Sequence, residues 1–114
     1  MSTSEFETAV RELLDEGLDD WVPLDQVIWA SRNLAEAAGT SLQKAASDLV
    51  SHLIENNLMV PGVIGSEGFE PWSGSPSELV HRVIRDCERY NWEPFGAGCW
   101  MANTEHGDRV AQRG

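Results

Sequence analysis

The sequence is poor in positive charge: eight Lys and Arg stand against nineteen Asp and Glu, a formal charge of −11 over 114 residues. A chain so acidic is steered away from DNA, RNA and anionic membranes and toward cationic partners. Cysteine is scarce too. Cys87 and Cys99 are isolated, with no CxxC pair, which argues for two buried thiols and against a disulfide framework. No run of eighteen apolar residues occurs, so no membrane-spanning helix is expected, and the start Met1-Ser2-Thr3-Ser4-Glu5 has neither the basic nor the apolar stretch of a signal peptide. The expected compartment is the cytoplasm, where a disulfide is disfavoured.

Reaction motifs are missing as well. There is no nucleophile with its base and no carboxylate pair in an apolar setting. Gly96-Ala97-Gly98 precedes a strand, whereas a phosphate loop follows one, so it reads as a turn. His52, His81 and His106 with the two Cys match no zinc spacing, and His106 is left a local role beside Asp108. No metal, no cofactor and no catalysis are expected.

What is present is periodic. A hydrophobic fraction of 41% over this length supports one domain, 1–114, with its own core. From Thr40 to Val63, residues Leu42, Ala45, Ala46, Leu49, Val50, Leu53 and Ile54 form a single helical stripe. Thr40 with Gln43 suggests the N-cap and Asn56-Asn57 the left-handed stop. A strand follows over Leu58 to Ile64, with Pro61-Gly62 marking its close. Before it, Ser4 with Glu7 opens a first helix, Glu5 to Glu16, for which Gly17 suits the stop; after a short connection, Pro23 suits the first turn of a second helix, Pro23 to Ala38.

The turn-rich stretch Gly65 to Gly74 reads as a loop with room for a second short strand. Ser75-Pro76-Ser77-Glu78 carries a capping box and a Pro at N1, which predicts a helix over Pro76 to Tyr90. Asn91 to Gly98 is again a loop, Cys99 to Ala102 a strand, and Thr104 opens a last short helix. The fold class is therefore helix-rich α+β, in the order three helices, strand, loop, helix, strand, short helix.

The stretch Trp100-Met101-Ala102-Asn103-Thr104-Glu105-His106-Gly107-Asp108-Arg109-Val110-Ala111 resembles the second wing strand and following helix of bacterial winged helix-turn-helix proteins. The resemblance implies a helix-turn-helix whose turn is Gly39-Thr40. One departure is large: a whole helix stands between the two wing strands, which suggests a re-purposed scaffold. In that family the exposed face of the third helix reads DNA. Here it would offer Ser41, Gln43, Lys44 and Ser47, in a regulator dimerising through the first or fourth helix. That face carries one Lys against Asp48 and Glu55, too little to neutralise phosphates.

Acidity is instead concentrated near the start. Glu5, Glu7, Glu12, Asp15, Glu16, Asp19, Asp20 and Asp25 face only Arg11, a net −7 in that span. Either these carboxylates are a solvated face or they dock on a basic protein. Arg82, Arg85 and Arg89 lie at i, i+3 and i+7 among Asp86 and Glu88, a spacing that suggests intrahelical pairing. Five Trp exceed what a core of this size needs. Trp72 and Trp92, in loops beside Phe69 and Phe95, are lids over the core or anchors of an interface. The reading that joins these features is a small acidic inhibitor or immunity-type protein that docks Glu5, Glu12, Asp15, Glu16, Asp19, Asp20 and Asp25 on a basic partner, with Trp72 and Trp92 as anchors. The alternative is the winged-helix DNA regulator.

Overall fold

The computed structural model describes residues 4–113. It is a helix-rich α+β fold of α1 (Glu5–Asp19), β1 (Val22–Pro23), α2 (Leu24–Ala38), α3 (Leu42–Glu55), β2 (Met59–Gly65), β3 (Gly68–Pro71), α4 (Pro76–Arg89), β4 (Trp100–Asn103) and α5 (Glu105–Gln112). The strands form one antiparallel sheet in the order β1-β4-β2-β3. β2 and β4 pair directly, Met59 against Asn103 and Gly62 against Trp100, so β3 and α4 do lie between two paired strands.

Each helix turns its stripe inward because only those positions can leave water together. Leu13 and Leu14 of α1, Leu24 and Val27 of α2, Leu49, Val50 and Leu53 of α3 and Val83 of α4 meet Met59 and Met101 of the sheet in one dry cluster. Burial of each large apolar side chain stabilises by roughly 1.5–3 kcal/mol relative to exposure. α2 and α3 pack together, α4 packs on α3, and α1 packs on both α2 and α5. Ser75 and Glu78 form the expected capping box on α4, and Asn57 takes the left-handed conformation (φ 55°) after α3.

Several boundaries differ from the sequence expectation. Ser41, not Thr40, caps α3, its Oγ accepting from Lys44 N at 3.1 Å. α1 does not stop at Gly17 but runs through it to Asp19. Gly17 serves a close approach instead of a stop: the side-chain amide of Asn103 lies where a Cβ on Gly17 would stand. That amide donates to Leu14 O at 2.9 Å and to Asp108 Oδ1 at 3.0 Å, joining α1, β4 and α5, so Asp108 is partnered by Asn103 and not by His106. The connection before α2 contains β1, and Pro23 sits at the N-cap rather than inside the helix. β2 continues through Pro61. Its carbonyl accepts from Trp72 N just past the end of β3, so its missing N–H faces a side where no ladder bond is lost.

Candidate protein-docking face

α1 buries Ala9, Val10, Leu13 and Leu14, which leaves its opposite side to water. At 100° per residue, Glu5, Glu12, Glu16 and Asp19 fall within an arc of about 60°, with Asp15 at its edge. All five are exposed. Asp20 stands beyond the helix end, its Oδ1 accepting from Trp21 N at 2.7 Å. Arg11, the one cation of the segment, is half-buried and turned toward α5, where Nη2 donates to Ala111 O at 3.3 Å. Among the described residues the ion pairs are Lys44–Asp48 and Arg89–Asp86, so the α1 carboxylates are uncompensated. The crowding shows in Glu16, whose carboxyl is raised above the usual range first by partial burial and then by the charge of Glu12 one turn away.

Asp25 belongs to a different construction. Both its carboxylate oxygens accept from the backbone N–H of Gly96, at 3.0 and 3.3 Å. On the same helix Arg32 Nη2 donates to Trp92 O at 3.2 Å. These two side chains hold the 91–98 segment in an unusual shape: Asn91, Trp92 and Phe95 all have positive φ, at 54°, 63° and 46°. For residues with a Cβ, such backbone costs of order 1–3 kcal/mol each unless the surroundings fix it.

Of the two readings of the loop tryptophans, lid or anchor, the packing fits the lid. Trp72 and Trp92 are half-buried and pack against the core, as lids. Trp72 also lies under the Arg82 guanidinium, 3.9 Å from the ring centroid. Trp21, beside Asp20, is 40% exposed, and the two most open aromatics are Phe95, 84% exposed at the tip of the held loop, and Trp29, 52% exposed on α2. These two line a cleft of about 200 Å³ with Asp25, Arg32, Trp92 and Pro94. Asn33 of α2, four residues beyond Trp29, lines a second groove with Glu5 and Glu12. The outer side of α2 thus adjoins the carboxylate stripe along one flank and the aromatic cleft along the other. Trp29 had a signal in the sequence, standing four residues after Asp25 and off the apolar stripe of its helix. Phe95 had none, because its exposure depends on the loop conformation.

The α3 face that would read DNA is open at its start and narrower further along. Ser41 and Gln43 are exposed, but Lys44 Nζ is 2.8 Å from Asp48 Oδ2. Ser47 and Ser51 are half-buried and line a cavity of about 470 Å³ with His81 and Arg85 of α4. His52 packs edge-on against Phe6 of α1, with ring centroids 5.2 Å apart. α4 thus flanks α3 on the side of Ser47 and Ser51.

Cys87 and Cys99 are free and buried. Among the described residues no three His, Cys, Asp or Glu side chains gather in an arrangement that would hold a metal, and no helix is long and apolar enough to cross a membrane. No protein-family model matches the chain, and neither does any curated protein or solved structure.

Proposed function

We propose that this is a non-catalytic protein-binding module, an acidic inhibitor or immunity-type protein that acts in the cytoplasm by docking on a basic protein. The observation that carries the reading is the α1 stripe: Glu5, Glu12, Glu16 and Asp19 on one helix side, with the neighbouring Arg11 turned inward. Charges left unpaired and crowded cost stability, and a cationic surface relieves that cost while steering the encounter. Trp29 and Phe95, beside the stripe, supply the apolar area that charge alone does not. Trp92 lines the same cleft as these two, whereas Trp72 lies apart, under Arg82. The order of elements supports a winged-helix ancestry in which a hairpin strand and α4 were inserted, and the inserted helix stands against the DNA-reading side.

The test is capture from native lysate with the purified protein as bait, washed at low and high salt, with and without nuclease, beside a Glu12→Lys/Glu16→Lys variant. The reading expects a basic protein that is held at low salt, released at high salt, indifferent to nuclease and lost by the variant. Recovery of DNA fragments, or equal capture by the variant, would sink it.

A further inference from the structure

The outer side of α4 carries Arg82, Arg85 and Arg89, all exposed. On an acidic chain these arginines would ordinarily be matched by carboxylates of their own helix. Of the carboxylates at pairing distance along the helix, Glu78 and Asp86 are engaged in other bonds, while Glu88, three residues after Arg85, is exposed and forms no ion pair among the described residues. Glu78, four residues before Arg82, accepts from Ser75 N at 2.9 Å in the capping box. Asp86, four residues after it, accepts from Cys99 N at 2.8 Å and anchors the start of β4. Arg89 reaches Asp86 only at 3.7 Å, and its side chain is 70% exposed. Arg82 is laid flat on Trp72, which fixes its direction without neutralising it. The result is a helix face on which three arginines outnumber the one carboxylate, Asp86, that shares with them and Trp72 a cleft of about 330 Å³.

We infer that this face binds the α1 stripe of a second copy of the chain. Local charge complementarity fits that occupant although each copy is net −11, and register selects it. Arg82, Arg85 and Arg89 are spaced by three and then four residues; Asp19, Glu16 and Glu12, read backwards, are spaced by three and then four. Two antiparallel helices therefore bring three arginines opposite three carboxylates over about 10.5 Å of axis. Both sets are exposed. α1 packs on α2 and α5 whereas α4 packs on α3, so each copy offers both surfaces at once. The contact is head-to-tail, so an open assembly leaves an acidic stripe free at one end, whereas a closed ring would leave none. It rests on the same stripe as the proposed partner site, so self-association and partner capture compete.

Sedimentation of the purified full chain, without any partner, tests this separately from the docking reading. At low salt and concentrations up to about 1 mM, suited to weak ion-paired contacts, the mean mass rises above the monomer and returns to it at high salt. Arg85→Glu and Glu16→Arg each weaken association by about tenfold or more, since an attractive pair becomes a repulsive one. An equal mixture of the two variants associates again, because each supplies the charge the other lacks, and that recovery also shows that both are folded. A wild-type chain monomeric at low salt, an Arg85→Glu variant that associates like wild type, or a mixture that stays monomeric would each overturn the inference. None of these results touches capture by a basic partner, for which Arg85→Glu keeps the stripe intact.

Discussion

Asp25 grips the backbone N–H of Gly96 with both carboxylate oxygens across 71 residues of sequence. A side chain from the first turn of α2 thereby fixes the tip that displays Phe95. Asp25→Ala should lower stability by about 1–2 kcal/mol, the loss of a charge-assisted hydrogen bond. Hydrogen exchange should accelerate over residues 92–97 while the α3 amides remain protected. If exchange in the loop is unchanged, Arg32 and the Trp92 packing hold it by themselves.

Gly17 and Asn103 provide a second, opposite expectation. Gly→Ala inside a helix normally stabilises by about 0.5–1 kcal/mol. Here the new methyl meets the Asn103 amide, which bridges Leu14 and Asp108. Gly17→Ala should therefore destabilise by about 1–3 kcal/mol. In an Asn103→Ala background, itself weakened, the same substitution should become neutral or favourable. Denaturant melts of the four proteins measure the coupling, and additive effects would contradict it.

These two contacts also mark where the sequence stops being legible. Helix stripes, the Ser75–Glu78 box, the buried thiols and the Asn57 stop depend on neighbours within one or two turns, so they can be read from spacing. The end of α1 cannot, because Gly17 is answered by Asn103 of β4, a residue remote in sequence. β1 is two residues long and exists through its pairing with Trp100 and Met101. Thr40 and Ser41 are both hydroxyl caps, and the αL conformation of Gly39 (φ 69°) rather than composition decides between them. The acidic stripe was legible as a charge count. Its isolation was not, since it depends on Arg11 reaching Ala111. The choice between lid and anchor was open for a like reason: Trp72 and Trp92 sit in loops that fold back on the core, which spacing does not reveal.

The two thiols give a prediction in pH. Cys87 is pushed up from 9.0 to about 12, by burial first and then by Asp86; Cys99 is raised further by the same causes in the same order. A raised folded value means that the fold favours the neutral thiol. That contribution to stability is fully present below pH 9 and is lost as pH rises from the unfolded thiol's 9.0 toward 12. A thiolate-seeking reagent near neutral pH should label neither cysteine in the folded protein and both in denaturant. Rapid labelling of the native state would mean that the Cys87–Cys99 region opens.

Glu16 sets stability against function. Its carboxyl is raised by partial burial and then by Glu12, so its ionisation is less favourable folded than unfolded. The sign follows: its contribution is present below the ordinary carboxylate value and is lost as pH rises through the folded one. At neutral pH the wild-type stripe therefore carries a small strain, and Glu16→Gln should stabilise the protein by no more than a few tenths of a kcal/mol. Added salt should shrink that gain, because it screens Glu12 from Glu16. The same substitution should weaken salt-sensitive capture of a basic partner, since it removes the central charge of the stripe. A residue retained for solubility alone would show the first effect without the second. Melts of wild type and Glu16→Gln at two ionic strengths, paired with capture at low salt, separate the cases. A less stable variant, or one that captures as well as wild type, would mean that the stripe is a solvated surface and that the binding face lies elsewhere.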